Sequence, residues 1–191
     1  MFIRLAQVAD ASAIQAIYAQ IVRDTIISFE MVPPSVADMA QRITTTLEQF
    51  PWLVATQDEA VIGYAYASRH HERAGYQWSV NVSCYIHADW RGKGIGRALY
   101  TALFAILAKQ GYYRVFAGIT LPNPGSTALH EAMGMRLLGI YQQAGFKSRA
   151  WHDVSWLQAS LQPLSEQPAP PRPLPMLIAE DPLAVQALLR T

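Results

Sequence analysis

The most regular pattern in the chain is an alternation of apolar and polar side chains between about Gln77 and Ile86. The apolar positions are Trp78, Val80, Val82, Cys84 and Ile86, and the polar positions are Gln77, Ser79, Asn81, Ser83 and Tyr85. A period of two over this length predicts a strand with one face in the core and the other toward something polar. Central strands of this kind commonly line a cleft.

Apolar residues recur at helical spacing in several other segments. The predicted helices are one from a cap at Asp10 to about Val22, one from Ser35 to about Gln49, one from Ile95 to a terminal Gly111, and a short one within "LPNPGSTALHEAMG". Cap residues before the apolar stripes and glycines after them support these bounds.

Runs rich in β-branched and aromatic residues predict the remaining strands. "PWLVAT" and "AVIGYAYAS" flank the turn "QDE" and predict a hairpin, and further strands are expected at "FIRLA", "YYRVFAGIT", "MRLLGIYQQAG" and "SRAWHDVSWLQASL". Strands and helices are mixed without the strict alternation of a doubly wound parallel sheet. The chain therefore has the pattern of an α+β fold built on a mixed sheet.

The composition changes at Gln162, where "QPLSEQPAPPRPLP" begins. Its proline content predicts a polyproline-like tail rather than a core element. Within this tail, "AEDPLAVQALLR" predicts a last short helix capped by Asp181, with Pro182 in its first turn. We expect a domain at 1–162 and a tail at 163–191 that packs on the surface or contacts another subunit.

Composition narrows the classes of function. The 191 residues are 51% hydrophobic and carry a formal net charge of +1, so no overall field favours nucleic acid or a membrane surface. No apolar run approaches the roughly 18 residues of a membrane span, and no signal-peptide pattern opens the chain. We expect a cytoplasmic protein. A single cysteine, Cys84, excludes an internal disulfide and a cysteine-based zinc site, and the adjacent His70 and His71 are unsuited to pair on one metal.

The stretch "DWRGKGIGRAL" at 89–99 places three alternate glycines among three cations. A Walker loop needs Ser or Thr after its lysine, a dinucleotide loop needs the spacing G-x-G-x-x-G, and a kinase loop lies between two strands, so none of these fits. A glycine loop between a strand and a helix N-terminus still concentrates free N–H groups and positive charge at one point. The loop therefore predicts a site for a diphosphate.

"RGKGIG" after "SCYIHADW" resembles the acetyl-CoA motif R/Q-x-x-G-x-G/A of the GNAT N-acetyltransferases. "PWLVA", "GYAYA", "RAGYQWSVNVSCYI" and "GFKSRAWHDVSW" further resemble the phosphinothricin (methionine sulfoximine) N-acetyltransferases, over nearly all of 2–162. The resemblance implies the GNAT fold, a bent and mostly antiparallel sheet splayed between its fourth and fifth strands with acetyl-CoA in the opening. It also implies a homodimer, with no metal.

The implied reaction is acetyl transfer from acetyl-CoA to the amino group of a small amino-acid-like substrate, such as phosphinothricin or methionine sulfoximine, by direct attack in a ternary complex. Two alternatives stay open: another small amine as acceptor, and a non-catalytic acyl-CoA sensor. Carried over by motif, the residues expected to bind acetyl-CoA are Cys84, Tyr85, Ile86, Arg91, Gly92, Lys93, Gly94, Ile95, Gly96, Arg97, Asn123 and Ser126.

The catalytic residues implied by the resemblance are His130, Asn81 and Glu30. His130 stands where many relatives have a tyrosine that protonates the departing thiolate, and the alternative is a histidine with a structural hydrogen bond. Asn81 replaces the glutamate of the family pattern T-V-E-x-S, and an amide can orient an amine or a water but accepts no proton at neutral pH. The substitute bases considered are Glu30, which ranks first because it lies in the family's substrate lip, His71 and Glu72.

The substrate-binding residues implied are Phe29, His71, Glu72, Arg73, Tyr76, Val82 and Ser83. Among them, Arg73 carries the planar set of donors that suits a carboxylate or a phosphinate. Cys84 falls on the apolar face of its strand, which favours a buried, inert thiol over a nucleophile.

Overall fold

A computed structural model describes residues 1–190; Thr191, the last residue of the predicted tail, lies outside the described residues. The strands are β1 (Phe2–Leu5), β2 (Trp52–Gln57), β3 (Ala60–Arg69), β4 (Ser79–Ile86), β5 (Arg114–Thr120), β6 (Arg136–Lys147) and β7 (Ala150–Ser160). The helices are α1 (Ala11–Asp24), α2 (Val36–Leu47), α3 (Ile95–Gln110), α4 (Pro124–Ala132), α5 (Leu174–Glu180) and α6 (Pro182–Leu188). No helix within 1–190 has the length and apolar character needed to cross a bilayer.

The seven strands form one sheet in the order β1-β2-β3-β4-β5-β7-β6. Every neighbouring pair is antiparallel except β4 and β5, which are parallel. These two strands pair only from Ser79 with Arg114 to Asn81 with Phe116, although β4 continues to Ile86. Beyond Asn81 the sheet is therefore split, which confirms the predicted mixed sheet splayed between its fourth and fifth strands.

Helices cover both faces of the sheet. Successive side chains of β4 point to opposite faces, so each face of this strand packs against a different core. Val80 and Val82 pack in a core with Leu99 and Leu103 of α3. On the other face, Tyr85 packs against a second core that α1, α2, β2 and β3 form. The alternation in the sequence thus predicted correctly which residues of β4 are buried beneath α3.

One of two predicted helix caps is present in the structure and the other is not. The Ser35 hydroxyl accepts from the Asp38 N–H at 3.1 Å, and the Asp38 carboxylate accepts from the Ser35 N–H at 3.0 Å, so the predicted cap is confirmed. Asp10 precedes α1 but makes no side-chain cap there. Its carboxylate instead binds the Arg4 guanidinium through two contacts of 2.7 Å, which corrects the prediction that Asp10 caps α1.

The segment after 162 is only partly the surface tail that its prolines predict. Leu174 and Leu177 of α5 and Val185 of α6 are buried in the core beside α3, so the expectation that this segment contributes no core element is wrong for its second half. α6 begins as predicted, since the Asp181 carboxylate accepts from the Ala184 N–H at 3.1 Å. α5 escaped prediction because it is short and directly follows a proline-rich run.

Candidate active site

The glycine loop ends in an uncapped helix N-terminus. Gly92 and Gly94 have φ values of +74° and +80°, in the left-handed region that favours glycine. No side chain within 1–190 caps α3, and its first backbone hydrogen bond runs from the Ala98 N–H to the Gly94 carbonyl. The N–H groups of 95–97 therefore precede the helical hydrogen-bond ladder and are available to a ligand. A Cβ placed on Gly92 or Gly94 would meet nothing within 4 Å, so the cradle is open.

A cavity of about 520 Å³ lies against this loop. The predicted acetyl-CoA residues that line it are Cys84, Tyr85, Ile86, Arg91, Gly92, Gly94, Ile95, Gly96, Arg97, Asn123 and Ser126. Lys93 does not line it, because its ammonium lies 4.5 Å from the centre of the Trp90 ring. Ile21, Ile27, Trp90, Gly125 and Leu129 also line the cavity; spacing gave no signal for them. One wall holds the start of α4, where the Asn123 side chain accepts from the Ser126 N–H at 3.1 Å.

A narrower space continues from this cavity between the separated strands. Val82 and Ser83 of β4, Gly118 of β5, and the buried side chains of Tyr100 and His130 line it. His130 Nδ1 lies 2.7 Å from the Ser126 carbonyl, so Nδ1 carries the proton and Nε2 accepts from the Tyr100 hydroxyl at 3.0 Å. Burial lowers the pKa of His130, which keeps the ring neutral. In this hydrogen bond Tyr100 is the donor and His130 Nε2 is the acceptor. The arrangement does not fit His130 as the group that donates a proton directly to the departing thiolate.

Asn81 lies at the apex of the split, where β4 and β5 last pair. Its Oδ1 is 2.9 Å from His70 Nδ1, and its Nδ2 donates to the Arg69 carbonyl at 3.3 Å. The His70 ring stacks on Phe116 with centroids 4.1 Å apart. In the sequence, His70 came up only as part of an unsuitable metal pair with His71. Nothing in the spacing of His70 shows that the end of β3 lies beside Asn81.

Glu30 is not a free base. Its carboxylate accepts from two nitrogens of Arg42 at 2.8 and 3.2 Å and from the Tyr18 hydroxyl at 3.0 Å. Burial alone would raise the pKa of Glu30, but these hydrogen bonds and the charge of Arg42 lower it. Because a carboxylate held in this way binds a proton weakly, the geometry corrects the ranking of Glu30 as the first substitute base.

Lys147 fixes the segment that contains Phe29 and Glu30. Its ammonium is 5% exposed and donates to the carbonyls of Val22, Ser28 and Glu30 at 2.7, 2.5 and 3.1 Å. Gly145, on the same strand, approaches so closely that a Cβ there would lie 2.3 Å from the Phe29 ring. The sequence gave no sign of this anchor, which joins segments more than a hundred residues apart.

Five of the predicted substrate residues, Phe29 among them, line neither cavity. His71, Glu72, Arg73 and Tyr76 follow β3 and are exposed. His71 stacks on Tyr76 at 4.7 Å and Glu72 lies 3.8 Å from Arg69, whereas the Arg73 guanidinium has no ion pair or hydrogen bond within 1–190. Their binding of substrate stays a prediction. Within the same residues, no three His, Cys, Asp or Glu side chains are grouped to hold a metal.

A family model described as an acetyltransferase (GNAT) domain matches residues 3–156. The chain belongs to the GNAT acetyltransferase family. Phosphinothricin N-acetyltransferase of Streptomyces viridochromogenes is 35% identical over 172 residues, which cover 90% of this chain and 92% of that protein. L-methionine sulfoximine/L-methionine sulfone acetyltransferase of Pseudomonas aeruginosa is 33% identical over 168 residues, which cover 87% of this chain and 98% of that one.

A solved GNAT structure agrees with these relatives. Phosphinothricin acetyltransferase from Sinorhizobium meliloti, in complex with AcCoA, matches with a TM-score of 0.82 at 36% identity, covering 88% of this chain and 95% of that one. This GNAT chain is an acetyl-CoA-dependent N-acetyltransferase of the phosphinothricin and methionine sulfoximine group.

The residues present fit acetyl-CoA, which supplies the acetyl group as a thioester. The open glycine cradle and the unpaired N–H groups at the start of α3 suit a diphosphate. Arg91 and Arg97 line the same cavity and contribute positive charge. The end of β4 does not pair with β5, so its free backbone groups could bind the amides of a pantetheine arm. The split sheet and the glycine loop together therefore form one elongated candidate site for acetyl-CoA.

The buried, neutral His130 predicts a pH-dependent stability. An unfolded histidine gains a proton near its ordinary pKa of 6.5, whereas the folded ring resists protonation because burial lowers its pKa. The unfolded state then binds more protons below about pH 6.5, so the free energy of unfolding falls as the pH falls through that range. We expect His130→Gln to reduce this fall, measured by urea unfolding between pH 7.5 and 5. His71→Gln, at an exposed histidine, is the control; equal slopes for wild type and His130→Gln would contradict the assignment.

Proposed function

We propose that this acetyltransferase acetylates the amino group of phosphinothricin or methionine sulfoximine by direct attack on the thioester in a ternary complex. The names of the relatives from Streptomyces viridochromogenes and Pseudomonas aeruginosa support these substrates. Direct attack is supported by the state of Cys84, the single thiol of the chain. Its sulfur faces α3, where a Cβ on Gly96 would lie 3.7 Å away, and burial raises its pKa to about 12. Such a thiol is a poor nucleophile, so no acyl-enzyme is expected.

The observation that carries the proposal is an exposed position without a side chain on the sheet beside the split. Gly118 is exposed in the middle of β5, and a Cβ there would lie 3.4 Å from the Trp156 ring. Because Gly118 has no side chain, this exposed position on β5 leaves room for a small amino-acid-like acceptor beside the split.

A second candidate acceptor is an ordinary L-amino acid. An L-amino acid N-acyltransferase of Escherichia coli is 32% identical over 173 residues, which cover 88% of this chain and 99% of that protein. Asn81 lies at the apex of the split, where the resemblance leads us to expect a glutamate, and this difference favours a different acceptor. The fold and the acetyl donor are the same in both candidates, and only the acceptor differs.

The test is thiol release from acetyl-CoA against a panel of amines. The panel contains phosphinothricin, methionine sulfoximine, the common L-amino acids and a few polyamines. Turnover of phosphinothricin or methionine sulfoximine supports the proposal. Turnover confined to other amines would keep the acetyltransferase activity but reject these two acceptors. Binding of acetyl-CoA with no thiol release against any amine would favour the sensor hypothesis.

We further propose that the enzyme is a homodimer that pairs through the outer edge of the sheet. β6 is the last strand of the sheet, and one of its long edges has no strand partner within 1–190. Leu137, Leu138, Ile140 and Tyr141 on β6 are each between 47% and 61% exposed. A long apolar edge strand left open is an aggregation hazard, and a second copy of the chain would cover it.

The double variant Ile140→Lys/Tyr141→Lys is expected to be a monomer, because two charges on the edge oppose pairing. Light scattering coupled to size-exclusion chromatography measures the mass directly. Val8→Lys, at an exposed apolar residue before α1, is the matched control and should keep the mass of the wild type. A double variant with unchanged dimeric mass, or a monomeric wild type, would exclude this interface.

A further inference from the structure

The pairing of β3 with β4 brings one histidine to the apex of the split. Ser68 lies opposite Asn81 and Arg69 opposite Val80, so His70 is the first residue beyond β3 at this point. Its ring stacks on Phe116 of β5, the strand on the far side of β4, with ring centroids 4.1 Å apart and an interplanar angle of 13°. Phe116 is the register partner of Asn81 on β5. The ring therefore covers the last point at which the two strands are joined.

The hydrogen bonds of Asn81 determine the tautomer of this ring. Asn81 Nδ2 donates to the Arg69 carbonyl, which accepts only, so the opposite end of the amide is the oxygen. That oxygen faces His70 Nδ1 at 2.9 Å and can only accept, so Nδ1 must donate. In the neutral ring the lone pair is then on Nε2. Catalytic triads orient their histidine in the same way, through an acceptor on Nδ1.

His70 Nε2 has no hydrogen-bond partner within 1–190. Phe116, under the ring, and the exposed Gly118 are two residues apart on one face of β5, a distance of roughly 7 Å along a strand. The Trp156 ring, which contacts the Gly118 position, also packs against His70, with centroids 6.5 Å apart and an interplanar angle of 76°. An acceptor bound at Gly118 would therefore lie beside the imidazole, either directly or through one water.

We propose that His70 is the general base that removes a proton from the acceptor amine and that Asn81 is its positioning residue, an assignment that rests on the proposed function. Asn81 accepts no proton itself but holds a side chain that does. The titratable groups around His70 are Arg69, His71 and Glu72 in its own segment and Tyr76 after it. β5 and β7 face it with the neutral rings of Phe116 and Trp156.

The protons and electrons of the step balance without another reagent. The ammonium of the acceptor gives one proton to His70 Nε2, and the imidazolium passes it to solvent. The nitrogen lone pair then forms the N–C bond to the thioester carbonyl, while the C–S bond breaks and its electron pair goes to sulfur. A second proton moves from the nitrogen to sulfur, and the third stays on the amide product.

The test compares His70→Phe with wild type, because phenylalanine keeps the stacking on Phe116 and removes both ring nitrogens. We expect kcat/KM for the amine at pH 7 to fall about 100-fold, in the range of general-base contributions. The acid limb of the pH profile, which is the loss of rate at low pH when the base is protonated, should disappear. The Kd for acetyl-CoA should change less than twofold, which also shows that the variant is folded. A loss under threefold with the acid limb intact would overturn the assignment.

Asn81→Asp tests the positioning residue. An aspartate keeps the acceptor on Nδ1 but adds a negative charge beside the imidazolium, so the acid limb should move to higher pH. A limb that does not move would contradict the contact. Independently of turnover, long-range 1H–15N NMR of the apo protein, assigned with His70→Phe, should show the Nδ1–H tautomer; an Nε2–H tautomer would overturn the proposal.

Failure of this assignment differs from failure of the proposed function. If wild type turns over no amine although acetyl-CoA binds, the proposed function fails and the base assignment falls with it. If wild type is active and His70→Phe keeps its rate and its acid limb, the acetyltransferase function stands and only the assignment to His70 is rejected.

Discussion

Gly94→Val is expected to abolish measurable acetyl-CoA binding. Gly94 holds φ at +80° directly before α3, where a β-branched residue is strained by about 1–3 kcal/mol. Relief of that strain would turn the N–H groups of 95–97 away from the cradle. The new side chain would also project into the open space above the loop. We expect a Kd at least 100-fold weaker, equivalent to about 2.7 kcal/mol, measured by isothermal titration calorimetry.

Gly134→Val is the matched control for this variant. Gly134 also has a positive φ, of +77°, and open space around it, but it follows α4 and lines neither cavity. Both variants should lose stability through backbone strain, whereas only Gly94→Val should lose affinity. An affinity within threefold of wild type for Gly94→Val would mean that the loop does not hold the diphosphate.

Lys147→Met is expected to lower the free energy of unfolding by about 3–5 kcal/mol, because hydrogen bonds to a charged group contribute about 1.5–3 kcal/mol each and are not fully additive. The variant leaves the carbonyls of Val22, Ser28 and Glu30 without their shared donor. The lip that contains Phe29 should loosen, so KM for the amine should rise more than KM for acetyl-CoA. Urea unfolding and steady-state kinetics measure the two effects.

Lys109→Met separates the loss of a buried anchor from the loss of a charge. The Lys109 ammonium pairs with Asp181 at 3.6 Å at an exposed position, where an ion pair contributes at most about 1 kcal/mol. We expect the control to stay within that limit. If Lys147→Met destabilises the protein no more than Lys109→Met, the three carbonyl contacts are not an anchor.

The parts of the site that the sequence predicted are those built from neighbours in the chain. The alternation in β4 and the uncapped glycine loop before α3 depend on residues within about ten positions of one another, and each is visible as a pattern. The resemblance to the acetyltransferases then placed Asn123 and Ser126 in the same cavity, where the structure brings them together with the loop.

The residues whose roles were predicted wrongly have contacts that no local sequence pattern indicates. Glu30 could serve as a base only if its carboxylate were free, and Arg42 from α2 occupies it. Leu174 and Leu177 follow a proline-rich run, yet the groove beside α3 buries them. Asp10 has the sequence position of a cap, but its charge finds a stronger partner in Arg4.

The sequence by itself determined most of the elements, the mixed sheet and the open glycine loop before α3, since periodicity, capping and glycine conformation are local properties of a chain. Tertiary structure decided which side chains meet at the candidate site. His70 meets Asn81 only through the register of β3 on β4, and Lys147 reaches the lip only because the end of β6 lies close to the last turn of α1. The protonation and tautomer of a side chain depend on the partners within about 3 Å of it, and those partners are set by packing.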